Sequence, residues 1–279
     1  MSKFVEVVAT KPFLRWAGGK TWLIKYLTEI VGDMKFTSYH EPFLGGGAIF
    51  FTVSSPENSY LSDLNQELID TYQAIRDNPV AVINTLKSYE NTEEFYYRIR
   101  SWIPDNQYEQ AARFIFLNQT SFNGLYRVNQ RGEYNVPFGY RSKDFLEEDK
   151  LITASKCLQK ATLACGDFTC NKNQIKEGDL VFLDPPYTVS HNNNGFIKYN
   201  QKLFSLDDQV RLSGFIDYIK SQGAYYILSN AAHQTISQLF EKGDTRLELT
   251  RASLIGGDNA KRGKVSEYIF TNIPEGADR

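Results

Sequence analysis

Apolar positions near both ends of the chain alternate between helical spacing and short continuous runs. Within residues 20–30, Leu23 and Leu27 recur at the spacing of one helix face. Residues 180–183 form a short apolar run that is typical of a buried strand. Because helix-like and strand-like segments follow one another, the pattern predicts an α/β fold with a parallel sheet rather than a helical bundle or an all-β sandwich.

Polar residues beside these segments predict where individual helices begin and end. Asn65 is placed to cap the helix that follows it, and Ser205 with Asp208 resembles a capping box at the start of another. Gly223 is a favourable residue for ending that second helix, and the apolar residues 225–228 then predict a strand. This order of helix and strand is half of a β-α-β unit.

The middle of the chain, residues 90–164, lacks this alternation. Two helix-like segments are followed by β-prone residues on both sides of "NQRGE", which predicts a hairpin with Gly132 in its turn. We therefore expect one domain built from residues 1–89 and 165–279, with residues 90–164 inserted as a separate lobe.

Composition limits the class of protein without identifying it. The chain has 279 residues, of which 42% are hydrophobic and 14% aromatic, so it can bury a large core. No apolar run approaches the roughly 18 residues of a membrane span, and no basic leader precedes an apolar segment, so we expect a cytoplasmic location. The net charge of −2 gives no overall bias toward nucleic acid, and any DNA contact needs a local basic face.

Cysteine and histidine residues do not predict a metal site. The cysteines are odd in number and lack close pairs, and the histidines are scattered, so structural thiols are the favoured interpretation. These residues are Cys157, Cys165, Cys170, His40, His191 and His233.

Two glycine-rich segments are candidates for ligand contacts. The "GKT" that ends at Thr21 invites a phosphate-binding interpretation, but the Walker pattern needs a glycine where Leu14 stands, and a loop that caps the next helix is the alternative. The second segment, residues 45–47, lies between a strand-like and a helix-like stretch, and Asp63 follows the next strand-like run. An acid there can bind ribose hydroxyls, whereas a tight turn explains the glycines equally well.

The stretch "DPPY", residues 184–187, ends the apolar run of residues 180–183. Pro185 and Pro186 have no backbone N–H, so a strand cannot continue past Asp184 and the carbonyl groups there have no regular partner. Those oxygens are available to a ligand. An ordinary turn at the end of a strand is the alternative.

Five segments in order resemble the motifs of the Dam-like family of site-specific DNA adenine-N6 methyltransferases, α-ordered enzymes that use S-adenosylmethionine. They are "FLRWAGGK", "EPFLGGGAIFF", "SDLN", "FNGLYRVNQRGEYNVPFG" and "DPPY", and the resemblance runs from Pro12 to about Phe270. It implies a Rossmann-like S-adenosylmethionine-dependent methyltransferase sheet with an inserted helical and β-hairpin lobe that recognises DNA.

The resemblance also implies which residues hold S-adenosylmethionine. Asp63 would bind the ribose, and Asp167 with Phe168 would flank the adenine ring, although Phe168 also suits a core position. The full set is Trp16, Ala17, Lys20, Phe43, Gly45, Gly47, Asp63, Asp167, Phe168 and Asp184. Since the sulfonium already carries an activated methyl group, we expect no metal.

Catalysis is expected at the DPPY stretch. Asp184 and the carbonyl of Pro185 can each accept a hydrogen of the adenine amine, which offsets the positive charge that develops on nitrogen. Pro186 stiffens the backbone, and Tyr187 can stack on a base that has left the duplex.

For DNA, the resemblance predicts methylation of the adenine in GATC. Arg127 would read the outer guanine, Leu125 and Pro137 would lie on the thymine side, and Phe122 would enter the stack, although a buried position in the lobe is the alternative for Phe122. The residues are Arg15, Phe122, Asn123, Leu125, Arg127 and Pro137, with Arg15 standing where relatives commonly have lysine. Candidates for phosphate contacts, each equally consistent with solvated surface, are Arg127, Arg131, Arg141, Lys261, Arg262 and Lys264.

Two other functions remain open from the sequence. An RNA or protein amine methyltransferase also uses "DPPY", and a nonenzymatic DNA-binding protein can retain a degenerate methyltransferase fold. The sequence does not decide whether the enzyme acts alone or beside a cognate restriction endonuclease that acts separately. The expected setting is the bacterial nucleoid or a phage-infected cell.

Overall fold

The computed structural model describes residues 10–52, 58–187, 204–252 and 264–274. In chain order its helices are α1 Ile24–Val31, α2 Gln66–Asp77, α3 Pro79–Lys87, α4 Glu93–Ser101, α5 Gln107–Thr120, α6 Glu148–Leu158, α7 Leu206–Ser221 and α8 Gln234–Phe240. Its strands are β1 Ser38–Glu41, β2 Asn58–Asp63, β3 Ala161–Cys165, β4 Leu180–Leu183, β5 Tyr225–Ala231, β6 Thr245–Ala252 and β7 Lys264–Thr271. Short 3-10 helices lie at Thr21–Leu23, Phe122–Gly124 and Lys172–Gln174.

The seven strands form a mixed sheet with the order β3-β2-β1-β4-β5-β7-β6. The predicted α/β class is therefore confirmed. The pairs β2-β3, β1-β4 and β4-β5 are parallel, as the alternating pattern predicted. The pairs β5-β7 and β6-β7 are antiparallel, a feature that the sequence pattern did not indicate.

Backbone packing divides the chain into two compact units. The first contains Met1–Thr28 and Leu44–Asn171, and the second contains Glu29–Phe43 and Lys172–Arg279. In the first unit, α5 packs on both α2 and α3. The helices predicted for the inserted lobe thus belong to the same compact unit as β2 and β3.

The second unit is built around β4, whose four residues are all buried. On the two sides of this strand, Tyr39 of β1 is in register with Leu180, and Tyr225 of β5 is also in register with Leu180. Just before β4, Asp179 accepts a buried hydrogen bond of 2.9 Å from Nε2 of His40. Burial lowers the pKa of His40, and Asp179 opposes that change. These contacts anchor the start of the strand that leads to DPPY.

The helix ends predicted from polar residues are confirmed. The side chain of Asn65 accepts a hydrogen bond from the amide of Leu68, which satisfies one of the free donors at the start of α2. Ser205 and Asp208 form the reciprocal capping box of α7. Gly223 has φ +73°, the left-handed conformation that ends a helix without strain only at glycine.

Two predicted segments differ in detail from the structure. The hairpin turn forms at Gly132, but the chain on its two sides pairs through the isolated antiparallel bridges Val128–Tyr134 and Ser121–Phe138 rather than through a continuous ladder. Residues 45–52, expected to enter a helix, form turns instead, with one helical hydrogen bond from the amide of Phe51 to the carbonyl of Gly47. In the described ranges, no helix is both long enough and apolar enough to cross a membrane.

Candidate functional site

The glycine loop that follows β1 in the sequence is shaped by the side chain of Trp16. Gly45 has φ +47°, and a Cβ atom built there would lie 2.9 Å from Cδ1 of Trp16. A Cβ atom on Gly46 would lie 2.8 Å from Cβ of Trp16. Contacts this short are not tolerated, so glycine is required at both positions by a side chain of the protein itself. Nothing in the sequence pattern indicated this reason.

Trp16 is held in an aromatic cluster of the first unit. Its ring stacks on Tyr126 at 5.5 Å and 23°, and on Phe114 at 6.3 Å and 28°. The hydroxyl of Tyr126 donates a 2.7 Å hydrogen bond to Oε2 of Glu67. A residue predicted to hold the cofactor is therefore positioned by two aromatic residues of the segment predicted to recognise DNA.

The carboxylate of Asp63, at the end of β2, ties the same loop to the strand. Its Oδ2 accepts the amide hydrogen of Gly45 at 2.9 Å, and its Oδ1 accepts that of Asn65 at 2.9 Å. Burial raises the pKa of Asp63, and the hydrogen bonds from Asn65 and Gly45 oppose this rise. A carboxylate has about four lone-pair positions, so acceptor capacity remains for the hydroxyl groups of a ribose.

Other residues predicted to bind the cofactor lie in the same unit with varied exposure. Ala17 is exposed, whereas Lys20 is buried and its Nζ donates to the carbonyl of Gly18 at 3.2 Å. The carboxylate of Asp167 accepts two hydrogen bonds from Thr169, and Phe168 is buried. Gly47 has φ +65° and lies against the ring of Phe51.

Phe43 and the DPPY residues belong to the second unit. The ring of Phe43 meets Phe204 edge to face at 5.6 Å. The strand β4 ends at Leu183, and residues 184–187 belong to no helix or strand, as the two prolines predicted. Asp184 is half-buried at that point.

The hydroxyl of Tyr187 is held by two buried residues that sequence reasoning missed. It donates a 2.6 Å hydrogen bond to Oε2 of Glu267 and lies 3.0 Å from Oγ of Ser229. Ser229 lies on β5 and Glu267 on β7, and both are fully buried. Glu267 directly precedes the apolar run Tyr268–Phe270 of the same strand, which is the signal that could have drawn attention to it.

The residues predicted to read DNA lie on one exposed stretch of the first unit. The amide of Phe122 donates to the carbonyl of Pro137 at 2.9 Å, and that of Asn135 donates to the carbonyl of Arg127 at 2.8 Å. Phe122 and Leu125 are 51% and 37% exposed, so both side chains are accessible to a partner. Asn123, Arg127 and Pro137 are exposed as well.

Asn118, fully buried, joins Arg15 to this stretch. Its side chain accepts the amide hydrogen of Arg15 at 2.7 Å and donates to the carbonyl groups of Arg15, at 2.7 Å, and Gly124, at 3.4 Å. Gly124 has φ +63°, and a Cβ atom there would lie 2.6 Å from Cβ of Arg15. Burial lowers the pKa of Arg15, and the nearby charge of Arg141 adds to the effect. The sequence did not indicate Asn118.

The candidate phosphate contacts differ in accessibility. Arg131 is exposed, whereas Arg141 is half-buried and donates to Oε1 of Gln119 at 3.1 Å. Lys261 and Arg262 lie outside the described residues, and the side chain of Lys264 is not described. Within the described part of the chain, no group of three or more His, Cys, Asp or Glu residues is arranged to hold a metal ion.

Comparison with curated proteins gives relatives that match almost the whole chain. The type II methyltransferase M1.LlaDCHI of Lactococcus lactis subsp. cremoris is 33% identical, with 94% of this chain and 95% of the relative covered. The type II methyltransferase M.MjaIII of Methanocaldococcus jannaschii is 35% identical over 94% of this chain and 99% of the relative. The DNA adenine methylase of Escherichia coli strain K12 is 28% identical over 95% of this chain and 96% of the relative.

A family model described as D12 class N6 adenine-specific DNA methyltransferase matches residues 16–253. That span includes the glycine loop, the predicted reading stretch and the DPPY residues. This protein belongs to the D12 class of N6 adenine-specific DNA methyltransferases.

Proposed function

We propose that this protein transfers the methyl group of S-adenosylmethionine to N6 of the adenine in GATC of double-stranded DNA, after that base has left the duplex. The family supports the reaction class. The observation that carries the site is the end of β4. A fully buried strand delivers Asp184 and the carbonyl of Pro185, and the two prolines supply no competing N–H donors.

The chemistry follows from the weakness of an aromatic amine as a nucleophile. Its lone pair is delocalised into the ring and becomes reactive only as the nitrogen turns tetrahedral and positive. Asp184 and the Pro185 carbonyl accept the two amine hydrogens, and such fixed acceptors stabilise developing charge without reorganisation. Bound S-adenosylmethionine supplies the methyl group on a sulfonium centre. Tyr187 presents its ring to the extruded base.

The cofactor would be held mainly by residues of the first unit. The lone pairs of Asp63 that accept no protein hydrogen bond are available to the hydroxyl groups of a ribose. Ala17 is exposed and follows Trp16, whose ring is held in place by stacking on Tyr126. We assign cofactor binding to Trp16, Ala17, Lys20, Phe43, Gly45, Gly47, Asp63, Asp167, Phe168 and Asp184. By function, residues 1–89 and 165–279 form the catalytic part, and residues 90–164 form the part that recognises DNA.

Sequence reading is assigned to the exposed stretch. Two N–H groups of Arg127 donate to the carbonyl of Asn135, at 3.0 and 2.6 Å, which orients the guanidinium. Its remaining donors suit the two major-groove acceptors of guanine. Leu125 and Pro137 suit a thymine methyl group, and exposed Phe122 suits insertion into the base stack. Asn123 and Arg15 complete the proposed set.

Methylation of purified polymers tests the reaction. With tritiated S-adenosylmethionine, duplex DNA should accept label and RNA or protein should not. Label in RNA or protein alone would establish the alternative amine methyltransferase, and failure to bind or consume S-adenosylmethionine would establish a nonenzymatic DNA-binding protein. Long-read sequencing of a methylation-free host that expresses the chain tests the site: modified adenines at a motif without GATC would refute the specificity and leave the chemistry intact.

Replacing Arg127 tests base reading, and Arg131 provides a matched control. Arg127→Ala should reduce discrimination at one outer base pair by about 1–3 kcal/mol, because a bidentate guanine contact is lost. Arg131→Ala should leave discrimination unchanged; if it contacts phosphate, the slope of log affinity against log salt falls by about 1. Equal discrimination by the wild type and Arg127→Ala would remove Arg127 from the reading set.

A cognate restriction endonuclease that acts separately is the further partner we consider. Relatives include type II methyltransferases and a DNA adenine methylase. DNA isolated from expressing cells should resist an endonuclease that cuts only unmethylated GATC. An endonuclease of that specificity encoded beside this chain would establish the paired role, and its absence would favour a solitary enzyme.

A further inference from the structure

Glu267 is a buried carboxylate to which the proposed chemistry gives no task. It lies on β7 opposite Ala231 of β5, and none of its surface is exposed. Burying a carboxylate is strongly unfavourable unless hydrogen bonds compensate it. One of its hydrogen bonds comes from the hydroxyl of Tyr187, at 2.6 Å.

We propose that Glu267 is a positioning residue for Tyr187, an inference that rests on the proposed base-stacking role of that tyrosine. A hydrogen bond from a hydroxyl to a carboxylate at this distance is short and charge-assisted, and thus roughly twice as strong as a neutral one. Ser229, on the neighbouring strand β5, lies 3.0 Å from the same hydroxyl.

Two buried anchors on different strands restrict the ring of Tyr187. The main chain enters this residue from Pro186, whose φ angle is fixed by its own ring. The ring of Tyr187 is therefore constrained at the backbone by the prolines and at the hydroxyl by β5 and β7. Stacking requires a defined ring plane, and a plane fixed before the base arrives avoids an ordering cost during the reaction.

A double-mutant cycle tests this role. Tyr187→Phe keeps the ring and removes the hydroxyl, and Glu267→Gln keeps the shape and removes the charge. Each should lower the single-turnover methylation rate by about tenfold, the effect of losing a charged hydrogen bond, while affinity for S-adenosylhomocysteine stays unchanged. The double variant should lose no more than the more impaired single variant, because Tyr187→Phe removes the same contact that Glu267→Gln weakens.

The matched control is Glu248→Gln on the adjacent strand β6. Glu248 is exposed and in register with Tyr268, one residue beyond Glu267, so its replacement should leave the rate unchanged. A 2-aminopurine base at the target position gives an independent signal. Weaker stacking in the Glu267 and Tyr187 variants should raise its fluorescence in the complex relative to the wild type.

Three results would overturn the proposal. They are multiplicative losses in the double variant, a normal rate for Tyr187→Phe, and equal 2-aminopurine signals in all variants. If Glu267→Gln melts below the assay temperature, the same rate and fluorescence measurements are made on Tyr187→Phe and Ser229→Ala, since each alters the contacts of the Tyr187 hydroxyl. Failure of this proposal can be told apart from failure of the proposed function. A wild type that methylates no DNA would contradict the proposed function, whereas multiplicative losses in an active enzyme would contradict only the role of Glu267.

Discussion

The strand β2 ends in an aspartate and β4 is followed directly by one, but the backbone beyond the two aspartates differs. Asp63 is followed by residues with amide hydrogens, and its carboxylate accepts those of Asn65 and of Gly45. Asp184 is followed by Pro185 and Pro186, which have none to donate. The carboxylate of Asp63 therefore accepts hydrogen bonds from nearby backbone amides. Beside Asp184, the two prolines remove the amide donors of the next two residues.

This difference predicts where the effects of mutation should fall. Asp63 shapes the glycine loop as well as any ligand site, so its replacement should alter stability and binding together. Asp184 follows a strand that is buried along its whole length and anchored by β1 and β5. Its replacement should alter the chemical step and leave folding largely intact.

The largest effect is expected from Asp184→Ala. Loss of one preorganised acceptor should reduce the single-turnover methylation rate by about 10²–10³, with little change in the melting temperature. Rapid-quench measurement at saturating S-adenosylmethionine checks the rate. A variant with a near-normal rate would show that Asp184 does not contact the reacting amine.

Gly45→Ala should have the next largest effect, on stability, with Gly132→Ala as its control. Both glycines have positive φ, but a Cβ atom on Gly45 collides with Trp16, whereas one on Gly132 meets nothing within 4 Å. Urea unfolding should show a loss of about 3 kcal/mol at Gly45 and about 1 kcal/mol at Gly132. Equal losses would mean that the loop moves away from Trp16 at little cost.

Asp63→Asn should affect cofactor binding more than catalysis. Removing the charge weakens a hydrogen bond to ribose, so affinity for S-adenosylhomocysteine should fall by about tenfold. At saturating S-adenosylmethionine the single-turnover rate should match that of the wild type. Calorimetric titration measures the affinity, and an unchanged value would contradict the ribose assignment.

The smallest effect concerns pH. Burial raises the pKa of Asp63 above its ordinary value of 3.8, so the folded protein takes up a proton there before the unfolded chain does. The free energy of unfolding of the wild type, relative to Asp63→Asn, should therefore increase as the pH falls through the folded pKa, and should level off below 3.8. Urea unfolding across this range measures the difference.

The opposite trend would also be informative. A relative stability of the wild type that decreases on acidification would show that the hydrogen bonds from Gly45 and Asn65 outweigh burial. Hydrogen bonding, rather than burial, would then determine how the stability of the loop at Asp63 depends on pH.

Local chemistry explains which features could be predicted from the sequence. The ends of α2 and α7 were predictable because Asn65, Ser205 and Asp208 act on amides within three residues of themselves. The end of β4 was predictable because proline cannot pair in a sheet. The turn at Gly132 followed from the same short-range logic, although the extent of strand pairing on either side did not.

By itself, the sequence determined the α/β class, the helix caps, the end of β4 at DPPY and, through its ordered motifs, the methyltransferase family. Only the tertiary structure decided that Trp16 accounts for Gly45 and Gly46, and that Glu267 holds Tyr187, 80 residues away in the chain. The physical reason is range. Caps and proline effects act between near neighbours, whereas a collision with an added Cβ atom or a buried hydrogen bond depends on which distant segments the fold brings together.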